Sequence, residues 1–367
     1  MTAEQIDDPR GSAAASPDRR TVMAAGAAVV LGQVGLGPVL GTTAAKAAGP
    51  VRKIALEEHF STPELARRNI ARPTQSDAIF AEIERRLADF GALRLETMDK
   101  AGIDLAVLSV TTPGVQAETD TNTAVTLARQ ANDMLAREVQ KQPKRYAGFA
   151  HLPLQDPKIA ADELERAVKE LGFKGALING QTNGVYLDAD VNLPFWERVN
   201  ALEVPIYLHP GDLPDHPAMF AGRPELNGAV WAWTADTATH ALRLVFGGTF
   251  RRFPKVRLLL GHMGETLPYI LWRFDSRWQM EVGKTLPEDE LPSTIIRRHV
   301  AITTSGVCDP ASLAQAIAAL GEDSVMFSVD YPYEDTQVAA KFIEAAPLSD
   351  AVRAKVCHGN AERILKL

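Results

Sequence analysis

The chain has 367 residues, and its 46 Asp and Glu residues against 39 Lys and Arg residues give a formal net charge of −7. This mildly acidic balance offers no electrostatic basis for binding nucleic acid or an anionic membrane, so neither is an expected partner. Hydrophobic residues make up 46% and charged residues 23%, as in an ordinary globular protein with a buried core. The two cysteines, Cys308 and Cys357, are too few for a disulfide framework or a thiolate metal site. A single disulfide between them is the one pairing that the sequence allows.

The first fifty residues differ from the rest of the chain. A polar stretch leads to the paired arginines Arg19 and Arg20, which precede an apolar run of Gly, Ala, Val and Leu over residues 24–41. Small residues then surround Ala47, as a signal peptidase requires. We therefore predict that residues 1–48 are a twin-arginine signal peptide with a polar leader, cleaved after Ala47, which exports the protein to the periplasm or beyond.

An uncleaved signal that anchors the protein at the membrane is the alternative, because the apolar run is nearly long enough to span a bilayer. Five glycines and Pro38 make this run only weakly hydrophobic. The mature protein is therefore expected to have no stable membrane insertion.

From residue 51 onward, short apolar runs alternate with amphipathic stretches. The runs are rich in Val, Ile, Leu and Ala, as strands buried on both faces are. Eight of them are predicted strands: Lys53–Glu57, Leu105–Val110, Tyr146–Leu152, Gly175–Asn179, Pro205–Leu208, Val256–Leu260, Ala301–Thr304 and Val325–Val329. The clearest predicted helices are Asn122–Gln140, Lys158–Leu171, Pro310–Leu320 and Asp335–Ala345.

Eight strands that alternate with helices predict an α/β fold with a parallel sheet, which closes most simply as a (β/α)8 TIM barrel over residues 51–367. A doubly wound open sheet is the alternative, although no G-x-G-x-x-G motif follows the first strand. The long connections at residues 61–95 and 211–233 are expected to cover the C-terminal mouth of the barrel, where active sites lie.

Metal-binding residue types collect at the ends of these strands. Glu57 and His59 lie two apart on strand 1, a spacing that puts both side chains on one face, here the barrel interior. His209 ends strand 5, His262 follows strand 6 and Asp330 ends strand 8. Because polar groups that point into an apolar barrel need partners, five of them at one rim indicate a metal site.

Glu57, His59, His209 and Asp330 offer nitrogen and oxygen ligands that suit one divalent ion such as Zn²⁺ or Mn²⁺. His262 could supply a fifth ligand, but a catalytic acid or base beside the metal is the better interpretation. The nearby Glu265 would orient the His262 ring by a hydrogen bond.

Six motifs occur in order along the chain and together resemble the amidohydrolase-related family that includes γ-resorcylate, 2,3-dihydroxybenzoate and aminocarboxymuconate semialdehyde decarboxylases. These are Leu-Glu-Glu-His-Phe at 56–60, Leu-His-Pro at 208–210, Gly-His-Met-Gly-Glu at 261–265, Ile-Thr-Thr-Ser-Gly at 302–306, Asp-Tyr-Pro at 330–332 and Asn-Ala-Glu-Arg-Ile-Leu at 360–365. The resemblance runs from about Lys53 to Leu367.

The resemblance implies roles for single residues. The metal ligands correspond to Glu57, His59, His209 and Asp330, and the catalytic residues to His262, Glu265 and Asp330. Binuclear amidohydrolases carry a bridging lysine at the end of strand 4, where this chain has Asn179, so one metal ion is expected.

Three further residues are candidates for binding the substrate. Arg273 matches an arginine that follows the Gly-His-x-Gly strand in the family, where it would contact a carboxylate or shape a subunit contact; an exposed position on a helix is the alternative. Phe60 and Tyr333 are predicted to form an apolar wall for a planar molecule.

The implied function is metal-dependent, non-oxidative decarboxylation of a hydroxybenzoate-like or related unsaturated carboxylic acid, by a dimer or tetramer. Asp330 or His262 would protonate the ring carbon that bears the carboxylate before CO2 leaves. A metal-dependent hydrolase of a lactone or amide remains an alternative, because the same ligands activate water. Glu-x-His on strand 1, where many hydrolytic relatives have His-x-His, favours the lyase. A catalytically silent exported binding protein is the third hypothesis.

Overall fold

The protein is built on eight short parallel strands, in a computed structural model that describes residues 51–68, 75–213 and 217–367. The predicted signal, with its alternative as a membrane anchor, lies outside the described residues. The strands are β1 (Ile54–Phe60), β2 (Leu105–Val110), β3 (Tyr146–Gly148), β4 (Ala176–Asn179), β5 (Ile206–His209), β6 (Leu258–Leu260), β7 (Val300–Thr303) and β8 (Val325–Met326). All eight predicted strands are confirmed, although several are shorter than predicted.

Helices follow the strands. They are α1 (Pro63–Ala66), α2 (Asp77–Leu87), α3 (Ala92–Ala101), α4 (Thr121–Lys141), α5 (Pro157–Lys169), α6 (Leu193–Leu202), α7 (Ala232–Phe246), α8 (Thr249–Arg252), the single turn α9 (His262–Glu265), α10 (Leu271–Glu281), α11 (Pro292–His299), α12 (Pro310–Leu320), α13 (Thr336–Ala345), α14 (Asp350–Ala354) and α15 (Asn360–Leu365). The four predicted helices are α4, α5, α12 and α13. Asp120, Asp156, Asp309 and Asp335 cap these helices by accepting backbone N–H groups of the first turn.

The parallel strands join in a closed ring. Continuous ladders connect β1 to β3 and β4 to β8. An isolated parallel bridge between Ala150 and Ala176 joins the two groups, and a second between Glu58 and Tyr331 connects β1 to the segment after β8. The ring supports the predicted barrel over the open-sheet alternative, because an open sheet would leave two unpaired edges.

Alternate residues of the strands form two separate cores. Inward-facing residues such as Leu56, Val107 and Leu259 form the barrel interior, which Ala361 and Leu365 of α15 cover at one end. The other residues of the strands pack against the surrounding helices in a larger cluster. Cys308 and Cys357 are free thiols, so no disulfide contributes to either core.

A β-bulge in β1 sets the position of the metal-binding residue types. Ala55 pairs with Ala106 and Glu58 pairs with Leu108, so two residues of β1, Leu56 and Glu57, lie opposite one residue of β2. Strict alternation from Leu56 would point Glu57 out of the barrel, but the extra residue turns it inward. The i, i+2 spacing therefore predicts the shared face of Glu57 and His59 correctly, because regular alternation resumes after the bulge.

Long connections begin at the C-terminal ends of β1 and β5. The first contains α1 and α2, and the second contains three 3-10 turns at Ala218–Phe220, Pro224–Leu226 and Gly228–Val230. At the end of the second connection, the Trp233 ring lies 6.5 Å from that of His209 at the strand ends. None of the helices within the described ranges is long and apolar enough to span a membrane.

Candidate metal centre

Four predicted ligands meet at the C-terminal end of the barrel. One ligand atom from each of Glu57, His59, His209 and Asp330 lies within 4.8 Å of the others. His209 Nε2 lies 3.2 Å from Glu57 Oε1, and His59 Nε2 lies 3.3 Å from Asp330 Oδ1. Two imidazoles and two carboxylates at these separations form a mixed nitrogen and oxygen site that suits Zn²⁺ or Mn²⁺.

Three of the atoms that face the centre of this cluster have no hydrogen-bond partner although they are buried. They are Glu57 Oε1, His59 Nε2 and Asp330 Oδ1. Buried polar atoms are nearly always paired, so three orphaned atoms that converge on one point need a shared partner. A single divalent cation satisfies all three, and the residues present therefore fit a mononuclear metal site.

The second oxygen of Glu57 is held by hydroxyl groups. Tyr207 Oη and Ser305 Oγ both donate to Glu57 Oε2, and Thr303 Oγ1 lies 2.7 Å from Tyr207 Oη. Burial, followed by the charge of Glu57, raises the pKa of Tyr207 well above its usual value, so the phenol stays a donor. These bonds leave only Oε1 of Glu57 to face the cluster.

The outer nitrogens of the two ligand histidines are hydrogen-bonded. His59 Nδ1 lies 3.3 Å from Ser109 Oγ, and His209 Nδ1 lies 2.9 Å from the carbonyl oxygen of Pro210. Because a carbonyl only accepts, His209 carries its hydrogen on Nδ1 and presents the lone pair of Nε2 to the cluster.

The charges of the cluster shift one another. Burial opposes protonation of His59, but the close carboxylates of Asp330 and Glu57 outweigh it and raise the pKa of His59 to about 9. Burial would raise the pKa of Glu57, yet the charge of His262 and the close imidazoles of His209 and His59 lower it well below its usual value. Because a metal ligand must be a neutral imidazole, binding a divalent cation would release protons from this cluster.

His262 lies beside the four ligands and is held by Glu265. His262 Nδ1 lies 2.6 Å from Glu265 Oε1, and His262 Nε2 lies 3.5 Å from Glu57 Oε1 and 3.6 Å from Asp330 Oδ2. Glu265 is fully buried and His262 retains 20% exposure of its side chain. Burial lowers the pKa of His262, but the charges of Glu265 and Glu57 outweigh it and raise the pKa well above the usual value.

The backbone that carries His262 and Glu265 is left-handed over five consecutive residues, His262 to Thr266, with φ between 47° and 79°. Four of these residues are not glycine, and such φ values are costly for them. Gly261 lets the segment approach the cluster, because a Cβ there would lie 2.4 Å from Glu57 Oε2. The strained turn therefore brings His262 against the ligands.

The three predicted substrate-binding residues lie in different places. Tyr333 is 43% exposed, its ring lies 5.8 Å from that of His59, and its hydroxyl is hydrogen-bonded to Thr111 Oγ1. Tyr333 therefore borders the site. The prediction for Phe60 is wrong, because Phe60 packs against Phe90 in the core between the barrel and the helices. The alternation that turns His59 inward turns Phe60 outward.

Arg273 lies on the exposed face of α10, next to Trp272. The structure therefore does not bring Arg273 in among the buried site residues of its own chain.

The hydroxyl groups around the ligands are absent from the sequence predictions. Tyr207 lies two residues before His209, and Thr303 and Ser305 lie two apart after the start of β7, so each could have been assigned to the interior face by alternation. Thr112, which contacts His209, lies in the loop after β2, where no periodicity predicts its direction.

Comparison with known proteins places this site in a family. The Amidohydrolase family model matches residues 80–367. A γ-resorcylate decarboxylase from Polaromonas sp. (strain JS666) is 44% identical over 327 residues, which cover 86% of this chain and 98% of the relative.

Solved structures agree in fold. A dihydroxybenzoic acid decarboxylase from Polaromonas sp. JS666, with bound manganese and the inhibitor 2-nitroresorcinol, superposes with a TM-score of 0.81 at 43% identity, over 86% of this chain and 97% of that one. A 2,6-dihydroxybenzoate decarboxylase in complex with 2,6-dihydroxybenzoate gives a TM-score of 0.80 at 40% identity, over 86% and 100% of the two chains. With a matching family model and relatives of this similarity, the chain belongs to the amidohydrolase family.

Proposed function

We propose that the chain is a metal-dependent, non-oxidative decarboxylase of a hydroxybenzoate, with 2,6-dihydroxybenzoate (γ-resorcylate) as the first substrate to test. One observation carries the proposal: the buried Glu57, His59, His209 and Asp330 cluster lies directly against the His262–Glu265 pair. The relative of 44% identity is a γ-resorcylate decarboxylase, and a similar solved decarboxylase holds manganese.

Glu57, His59, His209 and Asp330 would hold one Mn²⁺ or Zn²⁺. When bound, the ion supplies a Lewis acid that orients the phenolate and carboxylate oxygens of the substrate and stabilises negative charge. The chain supplies the fixed geometry, since the hydroxyls of Tyr207 and Ser305 hold Glu57 from the opposite side.

The reaction needs a proton at the ring carbon that bears the carboxylate. His262 Nε2 faces the cluster, and the buried Glu265 carboxylate beside Nδ1 stabilises the imidazolium form of His262. Asp330 is the other group within reach, and its Oδ2 lies 3.6 Å from His262 Nε2. His262 or Asp330 therefore delivers the proton.

Atoms and charge balance without a redox partner. The delivered proton forms a new C–H bond at the ring carbon and interrupts aromaticity. The bond from that carbon to the carboxylate then breaks, CO2 leaves, and the electron pair of the broken bond returns to the ring. From 2,6-dihydroxybenzoate the products are resorcinol and CO2.

The full-length protein, reconstituted with Mn²⁺ or Zn²⁺, tests the proposal. We expect it to convert 2,6-dihydroxybenzoate to equimolar resorcinol and CO2, to lose this activity to a chelator and to regain it with metal. Turnover of aryl lactones or amides with no CO2 from any hydroxybenzoate would instead assign the protein to the hydrolases of the family. Metal uptake without turnover of either class would support the binding-protein hypothesis.

Gly306 offers a test of how closely His262 must be positioned. A Cβ at this residue would lie 3.0 Å from His262 Cδ2, at a φ of +65°. We expect Gly306→Ala to shift the His262 ring and to lower kcat for decarboxylation at least about tenfold, since small misplacements of a catalytic group are costly. Mn²⁺ binding should change much less, because His262 is not among the four ligands.

Gly283→Ala is the matched control. Gly283 has a φ of +64°, and its added Cβ would meet no atom within 4 Å. Both variants carry the cost of a left-handed alanine, about 1–2 kcal/mol. Equal loss of kcat in the two variants would show that backbone strain, and not contact with His262, lowers the activity.

An exposed apolar surface supports the proposed homo-oligomer. Trp272 is 79% exposed, Met280 is 58% exposed, and Phe246 packs edge-on against the half-exposed Trp278. Such a surface, on and beside α10, is typical of a protein–protein contact, and it contains Arg273. Light scattering of Trp272→Glu should show a smaller species than the unaltered protein.

We also propose that the protein is exported. N-terminal sequencing of the secreted form should then give Ala48 as its first residue.

A further inference from the structure

Thr112, in the loop after β2, joins a metal ligand to the end of β4. Its hydroxyl oxygen lies 3.0 Å from His209 Nδ1, 2.8 Å from the carbonyl oxygen of Pro210 and 3.1 Å from Asn179 Oδ1. Thr112 meets His209 at Nδ1, whereas Nε2 is the atom of His209 that lies against Glu57 Oε1. We therefore expect an effect of these two residues on the metal to act through His209.

The hydrogen positions follow from the chemistry of the acceptors. The carbonyl oxygen of Pro210 and the amide oxygen of Asn179 can only accept, so the single hydroxyl hydrogen of Thr112 points to one of them. A lone pair of Thr112 Oγ1 then faces His209 Nδ1. Two acceptors, Thr112 Oγ1 and the Pro210 carbonyl, thus share the Nδ1–H of His209 and keep its Nε2 lone pair directed to the cluster.

Asn179 is itself fixed in one orientation. Its amide nitrogen lies 3.3 Å from the carbonyl oxygens of both Val110 and Thr111, and the residue is only 2% exposed. Because carbonyls cannot pair with the amide oxygen, Nδ2 must face them, and Oδ1 faces Thr112 Oγ1 as an acceptor of its hydroxyl hydrogen. Asn179 ends β4, so this strand end supports the hydroxyl that contacts His209.

We propose that Thr112, oriented by Asn179, is a positioning residue that holds His209 in the tautomer and ring orientation that ligate through Nε2. The inference deepens the proposed function and rests on the proposed ligand set. Outer partners of a metal-bound histidine commonly change metal affinity 10- to 100-fold.

Mn²⁺ binding to the full-length protein tests the proposal without an activity assay. Thr112→Val keeps the shape of the side chain and removes the hydroxyl, and we expect it to raise the Kd for Mn²⁺ by about tenfold or more. Thr112→Ser restores the hydroxyl and should return the Kd to within about threefold of the unaltered protein, a rescue that a packing role would not produce.

Thr97→Val is the matched control, because the partly buried Thr97 hydroxyl donates to the Leu93 carbonyl and contacts none of the ligands. Its Kd should not change. If Thr112→Val binds Mn²⁺ as tightly as Thr97→Val, the proposal is wrong.

A double-mutant cycle separates positioning from direct contact. Asn179→Leu alone should weaken Mn²⁺ binding. When it is added to Thr112→Val it should change the Kd little further, because its effect passes through the Thr112 hydroxyl. Additive losses would overturn the role assigned to Asn179. Thermal unfolding of the metal-free variants reports separately on lost bonds to the Val110 and Thr111 carbonyls.

His209→Ala distinguishes the failure of this inference from the failure of the site itself. If His209→Ala binds Mn²⁺ normally, the proposed ligand set is wrong, and this inference falls with it. If His209→Ala loses binding but Thr112→Val does not, the ligand set stands and only the role of Thr112 is excluded.

Discussion

Replacing Glu57 with glutamine is expected to weaken Mn²⁺ binding by more than about 100-fold. Loss of an outer hydrogen-bond partner of a ligand lowers metal affinity by up to about 100-fold, and loss of a ligand itself should lower it further. Decarboxylation should fall with it. Glu57 is fully buried, and its Oε1 lies 3.2 Å from His209 Nε2 and 3.5 Å from His262 Nε2. The substitution removes the negative charge at the centre of the cluster.

The surrounding hydroxyls make the orientation of the new amide predictable. Tyr207 and Ser305 both donate to Glu57 Oε2, so the amide oxygen of glutamine takes that position and its NH2 group replaces Oε1. An amide NH2 group cannot donate a lone pair to a metal and would point its hydrogens at the cation. Isothermal titration with Mn²⁺ and metal analysis of the purified variant measure the loss.

Glu58→Gln is the matched control, one residue along the same strand. Glu58 is 4% exposed, and its Oε1 accepts from Ser328 Oγ and Val329 N. Burial raises the pKa of Glu58 to about 8, so its carboxyl is mostly neutral at pH 7 and an amide preserves its charge state. Glu58→Gln should retain the metal. Unchanged Mn²⁺ affinity in Glu57→Gln would refute the proposed ligand set.

The contrast between Glu57 and Glu58 also shows what the sequence could predict. The pair of residues two apart at the end of a strand was sufficient to place Glu57 and His59 on one face. The bulge at Leu56 and Glu57, which decides that this face is the interior, has no sequence signal of its own, because it depends on how β1 pairs with β2.

Alternation along the strands explains other successes and failures. Apolar runs and intervening amphipathic stretches predicted all eight strands, since buried parallel strands have a distinctive composition. The aromatic character of Phe60 predicts a place at the mouth of the barrel, but its odd offset from His59 puts it in the outer core. The resemblance alone suggests a substrate contact for Arg273, and its exposed position on α10 agrees with the alternative of an exposed helix residue.

Left-handed backbone was a further feature beyond the reach of sequence patterns. Among residues 262–266, Gly264 is the one residue whose type favours a left-handed conformation, yet all five residues adopt positive φ. Tertiary contacts maintain this turn. His262 N donates to Ser305 Oγ, and Gly264 packs so closely against Ile302 that a Cβ on it would lie 2.9 Å from Ile302 Cγ2. The close contact of His262 with the ligands is therefore a property of the folded barrel.

Substitution of His262 with alanine is expected to lower kcat by about 10²–10⁴-fold, the usual contribution of a general acid or base. The Kd for Mn²⁺ should stay within about threefold, because His262 is not one of the four clustered ligands. The hydroxyls that hold the ligand Glu57 also remain in place. Metal-loaded protein and 2,6-dihydroxybenzoate at saturating concentration give kcat, and titration of the metal-free variant gives the Kd.

The two measurements together decide whether His262 transfers a proton or serves as a fifth metal ligand. Loss of both kcat and Mn²⁺ affinity would make His262 a fifth metal ligand, since its Nε2 lies 3.5 Å from Glu57 Oε1. Loss of kcat alone assigns it to proton transfer, and Glu265→Gln should then cause a smaller fall in kcat, because the neutral amide still accepts from Nδ1 but no longer stabilises the imidazolium. His358→Ala, which removes the contact of His358 with Glu362 near the C-terminus, should leave both values unchanged.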